Sequence, residues 1–139
     1  MAGSFIFYLL SFIFYLMNFI TSANAPKAVG PYSQAVTQDR FIFCSGQIGI
    51  DPTTGTLVTG IENQVKQVLK NLAAVLKEAG SAKEDVIKTT VYVVNMDDYP
   101  VLNQLYAEFF GEHKPARATV SVSKLPAGAL VEIDCIAKR

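Results

Sequence analysis

The chain has 139 residues, the length of one domain that can bury a hydrophobic core of its own. Its 12 Lys plus Arg balance 12 Asp plus Glu, so the formal net charge is zero. The length argues against a multidomain enzyme, and the charge excludes the broad basic field that non-specific nucleic-acid binding requires.

The first twenty residues carry the chain's surplus of hydrophobic side chains. No charged side chain precedes Lys27, and the sequence SFIFYL occurs twice in tandem, at 4–9 and at 11–16. The apolar run is shorter than the roughly 20 residues of a spanning helix, but it is long enough for the core of a signal peptide.

Three interpretations of this leader stay open. The sequence Ala23-Asn24-Ala25 fits a signal cleavage site, whereas the absence of Lys or Arg ahead of the apolar run argues against a signal. A cleaved signal, a membrane anchor and a non-functional extension are therefore all retained. Residues 1–19 are set apart as a leader, and the folded domain is predicted over 20–139.

Loops and short strands are predicted for the first half of the domain. Pro and Gly residues over 25–33 exclude a helix or a central strand there. Three short strands are predicted next, at 35–36, 40–45 and 47–50. A turn with Pro and Gly follows at 51–55. The segment 46–49 (GQIG) lacks the remaining residues of a phosphate-binding loop, so its glycines predict a bulge or a close approach of strands.

Helices and strands alternate in the second half. Apolar residues recur at spacings of three and four over 61–79, which predicts an amphipathic helix packed by one face. The Val- and Thr-rich segment 86–96 predicts a central strand. A second helix is predicted to begin at Asp97 or Asp98 as its N-cap and to end at Phe110. Two last strands are predicted at 118–123 and 130–137.

The order β-β-(β)-α-β-α-β-β predicts an α+β domain with a mixed sheet and both helices on one face. The opposite face would remain apolar and uncovered in a monomer, which predicts an oligomer. Cys44 and Cys135 lie far apart in a chain with one His and no C-x-x-C. They are predicted to be buried, small apolar side chains rather than metal ligands or a redox pair.

Two charged residues are the candidates for chemistry. Arg117 follows a Pro-Ala dipeptide at the start of an apolar strand, where a rigid turn would aim its planar guanidinium at a carboxylate. A surface ion pair is the alternative for this arginine. Glu132 would act as an acid or base beside a buried surface, or would simply face solvent. His113 is predicted to be an exposed histidine in a connector.

Several segments resemble the RidA (YjgF) family of reactive-intermediate deaminases. They are 25–34 (APKAVGPYSQ), 43–47 (FCSGQ), 86–91 (VIKTTV), 115–118 (PARA), 125–126 (LP) and 131–133 (VEI). The resemblance implies a YjgF-like, chorismate-mutase-like fold in a homotrimer with a central barrel and active sites between subunits. It also implies hydrolysis of 2-aminoacrylate, 2-iminopropanoate or 2-iminobutanoate to a 2-keto acid and ammonia, with no cofactor and no metal.

The resemblance further assigns roles to individual residues. Arg117 would bind the substrate carboxylate, and Glu132 would position or activate the attacking water. The backbone of Thr119 would lie near the imine nitrogen. Three more residues would line the pocket, namely Tyr32, Ser45 and Asn103. An imine is already electrophilic, so binding a small carboxylate and orienting one water would be a sufficient task for the protein.

Two other functions stay open. Relatives described as endoribonucleases or translation inhibitors point to an RNA-directed role, against which stand the zero net charge and the absence of a basic, aromatic stripe. No nucleic-acid partner is therefore expected. A non-catalytic module that binds small 2-imino or 2-keto carboxylates would use the same cleft. The predicted compartment is cytoplasmic, with membrane association only if the leader persists as an anchor.

Overall fold

The computed structural model describes residues 3–8 and 16–139. Residues 3–8 are helical, whereas most of the second copy of the leader repeat lies outside the described residues. No helix in these two ranges has the length and apolar character needed to cross a bilayer. The three interpretations of the leader stay predictions.

Within residues 16–139, six strands form one mixed sheet and two short strands form a hairpin. The sheet consists of β1 (Asn18–Ile20), β2 (Ala35–Gln38), β3 (Phe41–Ile48), β6 (Val86–Val93), β7 (Ala116–Ser121) and β8 (Val131–Lys138), and the hairpin of β4 (Ile50–Asp51) and β5 (Thr56–Leu57). The strand order is β1-β2-β3-β8-β6-β7. Neighbours are antiparallel except β6 and β7, which are parallel. The strand β1 lies across the predicted boundary between leader and domain.

Two helices cover one face of this sheet. Helix α1 (Ile61–Glu78) presents its apolar stripe to the strands, and Val65, Val68 and Val75 are fully buried there. Helix α2 (Tyr99–Phe110) packs beside α1 and buries Leu102. The predicted α+β fold, with a mixed sheet and both helices on one side, is confirmed.

The start of α2 differs from the prediction in its chemistry. Asp98 occupies the N-cap position, but its carboxylate makes no capping hydrogen bond. Instead, Asn95 Oδ1 accepts a hydrogen bond from the backbone N–H of Asp97 at 3.0 Å and caps a 3₁₀ turn, Met96–Asp98, that leads into the helix. The strand predicted to reach residue 96 therefore ends at Val93.

The two faces of the sheet differ in burial. On the face under the helices, Ile42, Val91 and Ile133 are fully buried. On the opposite face, Phe41 and Phe43 keep 45% and 46% of their surface exposed. The predicted oligomer needs such an uncovered apolar face. The oligomer itself stays a prediction.

The two cysteines occupy neighbouring strands of the sheet. Cys44 and Cys135 are free and buried, and they lie directly opposite each other in β3 and β8. The prediction that they are buried, small apolar side chains is confirmed.

Candidate active site

Arg117 is held by side chains of α2. It lies in β7 opposite Thr89 of β6, which places its side chain on the helix-covered side of the sheet. Its Nη2 donates hydrogen bonds to the Tyr99 hydroxyl and to Asn103 Oδ1, both at 2.9 Å. Its guanidinium carbon lies 4.7 Å from the centroid of the Tyr106 ring and 5.6 Å from that of Tyr99. The guanidinium is thus oriented by one amide and two aromatic rings.

No carboxylate among the described residues pairs with Arg117, so the expected alternative, a surface ion pair, is wrong. Every partner of its guanidinium is electrically neutral. The positive charge therefore remains available to an anion. A guanidinium with free N–H groups suits a carboxylate, because it can donate two parallel hydrogen bonds.

The ring beneath Arg117 is itself fixed from the sheet. The Tyr106 hydroxyl and Thr89 Oγ1 are 2.8 Å apart in a hydrogen bond that is buried. Burial raises the pKa of Tyr106, so this phenol stays neutral at physiological pH. A neutral, buried phenol in a fixed position gives Arg117 a rigid platform.

Sequence reasoning missed both tyrosines of this set. It named Asn103 only through the family resemblance, as a pocket-lining residue. The signal that could have found Tyr99 and Tyr106 is their spacing, because positions i, i+4 and i+7 share one face of a helix. The residue that these side chains contact, Arg117, lies in β7, the next strand along the chain.

The cavity beside Arg117 has a volume of about 400 Å³ and is also lined by Asn103, Tyr106 and His113. The prediction that His113 is exposed is wrong. Its ring is half-buried, and Nε2 lies 2.6 Å from the carbonyl oxygen of Val86, at the start of β6. This contact spans 27 residues of the chain, so the local sequence of a connector could not reveal it.

Glu132 lies on the other face of the sheet. It stands opposite Tyr92 in β6, and its half-buried carboxyl lines a cavity of about 340 Å³ with Tyr32 and Ser45. Burial raises the pKa of Glu132, and the negative charge of Asp134 adds to the effect. A carboxyl group with a raised pKa exchanges a proton more readily near neutral pH, which suits general acid–base work.

A glycine makes room for this carboxyl group. The pairing of β3 with β8 shifts between Cys44 and Gln47, and a Cβ at Gly46 would overlap a carboxylate oxygen of Glu132. Gly49 is equally constrained, since a Cβ there would lie 2.9 Å from the Cα of Gln64. The predicted bulge is confirmed at Gly46, whereas the close neighbour of Gly49 is helix α1 and not another strand.

The other predicted pocket residues divide between the two faces. Tyr32 and Ser45 belong with Glu132, and the Ser45 hydroxyl donates to the carbonyl of Ser33 at 2.6 Å. Asn103 belongs with Arg117. Thr119 lies opposite the buried Val91, on the same side as Arg117, and its Oγ1 is buried without a hydrogen-bond partner among the described residues.

The structure therefore does not bring Arg117 and Glu132 together within one chain. They extend from opposite faces of the sheet, and β6 lies between their strands. Within one chain, a small ligand beside one of these residues therefore does not reach the other. Among the described residues, no group of three or more His, Cys, Asp or Glu could hold a metal ion.

The fold and these residues define a class of small α+β proteins that carry an arginine without a carboxylate partner among the described residues and a half-buried carboxyl group on opposite faces of one sheet. The family model described as Endoribonuclease L-PSP matches residues 22–139. The chain belongs to this family, the RidA (YjgF) family, which confirms the resemblance found in the sequence motifs.

Relatives span almost the whole domain. A RutC family protein of Pyrococcus horikoshii is 53% identical over 119 residues, which cover 85% of this chain and 94% of the relative. Human 2-iminobutanoate/2-iminopropanoate deaminase is 46% identical over 119 residues, covering 85% and 87%. A crystal structure from Entamoeba histolytica, described as a candidate endoribonuclease L-PSP, matches with a TM-score of 0.88 and 49% identity, covering 89% and 100%.

Proposed function

We propose that the protein is a hydrolytic deaminase of reactive 2-enamines and 2-imines. It converts 2-aminoacrylate, 2-iminopropanoate or 2-iminobutanoate to the 2-keto acid and ammonia. The observation that carries the proposal is Arg117, whose guanidinium is contacted only by neutral groups within the described part of the chain and is therefore available to a substrate carboxylate. The human relative, which is named for this reaction, supports it.

The proposed chemistry needs one water and one carboxyl group, and it starts from the imine, which 2-aminoacrylate forms when a proton moves from its nitrogen to C3. The Glu132 carboxylate takes a proton from water while the water oxygen forms a bond to the imine carbon, and the proton passes to the imine nitrogen. Glu132 then takes the proton of the new hydroxyl group and returns it to nitrogen as the C–N bond breaks. Ammonia leaves, and a 2-keto acid remains. The raised pKa of Glu132 suits both directions of proton transfer. The proposed reaction uses no cofactor.

We place the working site between copies of the chain in a homotrimer with a central barrel. Each site would take Arg117 from one copy and Glu132 from the next. The exposed Phe41 and Phe43 would be covered by neighbouring copies, as would β7, which pairs only with β6 within the described residues. Three copies in a closed ring would then form three equivalent sites.

The function is tested with a dehydratase that releases 2-aminoacrylate in situ. The wild-type chain is expected to accelerate ammonia release, and Arg117→Ala is expected to abolish that acceleration. Arg40→Ala, which removes an exposed arginine elsewhere, is the matched control and should keep it. Acceleration by Arg117→Ala at the wild-type rate would overturn the proposal.

The placement between copies is tested by mixing two inactive variants. Arg117→Ala and Glu132→Gln are expected to be inactive separately. Unfolded and refolded together, they should regain part of the activity, because some interfaces then combine an intact Arg117 with an intact Glu132. Folded proteins that have not exchanged subunits are the control. A refolded mixture as inactive as its components would place both residues in one chain.

A second candidate is an RNA-directed activity, because the family model carries the description Endoribonuclease L-PSP. The zero net charge weakens it, since affinity for RNA derives largely from cationic contacts with phosphates. RNA cleavage at moderate salt that depends on Arg117 would favour it. Binding of 2-keto acids without turnover of any imine would favour the third reading, a non-catalytic binding module.

A cytoplasmic location belongs to the same proposal. In that compartment the two buried cysteines, which face each other across adjacent strands, would stay reduced thiols. Such a pair suits a reducing compartment.

A further inference from the structure

We infer that the substrate's side chain enters a second cavity behind Tyr32, so that imino acids with apolar side chains longer than methyl are preferred. This inference rests on the proposed deaminase function. The second cavity has a volume of about 310 Å³. It shares four wall residues with the Glu132 cavity, namely Tyr32, Gly46, Ile48 and Pro126. The two cavities therefore adjoin at Tyr32, and we place the substrate's side chain in the second one.

The added walls of the second cavity are mainly apolar. Ala28, Val29 and Ile50 contribute aliphatic surface. Lys27 also borders the cavity, but it is exposed, so its ammonium group remains in water. Gln47 is a further polar residue of the wall. The balance favours a side chain without charge.

Gln34 also borders this cavity, but its amide group is already occupied. Its Oε1 accepts from the backbone N–H of Ser22 at 2.5 Å. Its Nε2 donates to the carbonyl oxygens of Pro26 at 2.7 Å and Ser22 at 3.2 Å. A polar wall residue with these bonds presents little unsatisfied polarity to a ligand.

The same bonds make the cavity a preformed one. Gln34 ties the segment around Pro26 to the body of the domain. Tyr32 is fixed at the junction, because its hydroxyl accepts from the N–H of Val29 at 3.3 Å and its own N–H donates to the carbonyl of Gly30 at 3.0 Å. A preformed apolar cavity binds alkyl groups without first having to be ordered.

The test uses straight-chain 2-keto acids, from 2-oxopropanoate to 2-oxohexanoate, as stable probes of binding. Burial of each methylene is expected to lower Kd about fourfold. Calorimetry on the oligomer should therefore show Kd falling by several tens-fold across the series. The matching imines, generated in situ by an amino-acid oxidase, should show the same trend in kcat/KM.

The matched variants change bulk inside and outside the cavity. Ala28→Phe is expected to remove the dependence of Kd on chain length, whereas Ala23→Phe, at an exposed position outside the cavity, should keep it. Val29→Phe adds bulk at the rim on a side chain that is 87% exposed, so it tests the same cavity without a risk to folding.

The outcomes separate this inference from the proposed function. Turnover of 2-iminopropanoate with a Kd series that is flat in the wild type would overturn the second cavity as a side-chain site and leave the deaminase intact. A dependence that persists in both cavity variants would also overturn it. If the keto acids show the expected trend but no imine is hydrolysed, the deaminase proposal fails while the cavity assignment stands.

Discussion

Arg117 and Glu132 are held in place by opposite means. Arg117 is oriented by added groups, because the side chains of α2 bind its guanidinium from two directions. Glu132 depends instead on the absence of a side chain, since its carboxyl group occupies the space that a Cβ at position 46 would fill. The positive group lies on the covered face of the sheet, and the carboxyl group lies on the uncovered face.

This difference shows how the two groups keep distinct chemical characters. The partners of Arg117 are neutral, so they fix its direction without consuming its charge. Glu132 is half-buried and lies near Asp134, and both its burial and that negative charge disfavour its charged form. The helix-covered face therefore holds a group whose charge stays constant, and the uncovered face holds a group whose charge can change during a reaction.

The largest effect in this comparison is expected from filling the space at Gly46. In Gly46→Ala, the new methyl group must displace the Glu132 carboxylate by about an ångström or more. Misplacement of a reacting group on this scale costs about 100-fold in rate. Deaminase kinetics should show the loss in kcat. Arg117 itself is untouched by this change, so the loss in kcat should exceed any change in the Kd of 2-oxopropanoate.

A shorter acid sharpens the Gly46 prediction. When Glu132→Asp is combined with Gly46→Ala, the shorter side chain keeps its carboxyl group away from the new methyl group. The double variant should therefore lose less activity than the sum of the losses in the two single variants. Strictly additive losses would show that Gly46 acts on something other than Glu132.

A smaller effect is expected on the arginine side. Tyr99→Phe removes one hydrogen-bond partner of Arg117 but keeps the ring. Loss of one hydrogen bond to a charged group should raise KM and the Kd of 2-oxopropanoate about tenfold, with kcat nearly unchanged. Tyr8→Phe, in the exposed leader helix, is the control. A fall in kcat at constant KM would mean that Tyr99 serves the chemical step instead.

Local patterns predicted the parts of the fold that depend on neighbours in sequence. The spacing of apolar residues predicted α1 to within one residue of its end, because the amphipathic stripe is a property of the helix alone. The glycines at 46 and 49 likewise predicted a backbone irregularity. The family motifs singled out Arg117 and Glu132 as the residues to locate.

The features that could not be predicted depend on the pairing of segments that are distant in sequence. The separation of Arg117 from Glu132 depends on the register of β7 and β8 against β6, and a shift of one residue would reverse the face of either side chain. The contact of His113 with Val86 depends on how a connector returns to the sheet. Neither arrangement is encoded in a local pattern, so neither could be predicted from the sequence alone.

The smallest effect is expected in folding stability, from the carboxyl side. Burial raises the pKa of Glu132, with a further contribution from Asp134, so the folded state favours the protonated acid. The stabilisation by that acid is complete below the ordinary glutamate pKa of about 4.3, and it is lost as the pH rises through the raised value. Glu132→Gln should therefore unfold at higher denaturant concentration than the wild type at pH 7. The difference should shrink towards pH 4.

The control for this prediction is Glu78→Gln, which removes a carboxylate from the exposed end of α1. All variants are compared at one protein concentration, because assembly contributes to the measured stability. A Glu132→Gln variant that is less stable than the wild type at pH 7 would show that the charged carboxylate is stabilised by its surroundings. Glu132 would then keep its charge as Arg117 does, and the two faces of the sheet would no longer differ in this respect.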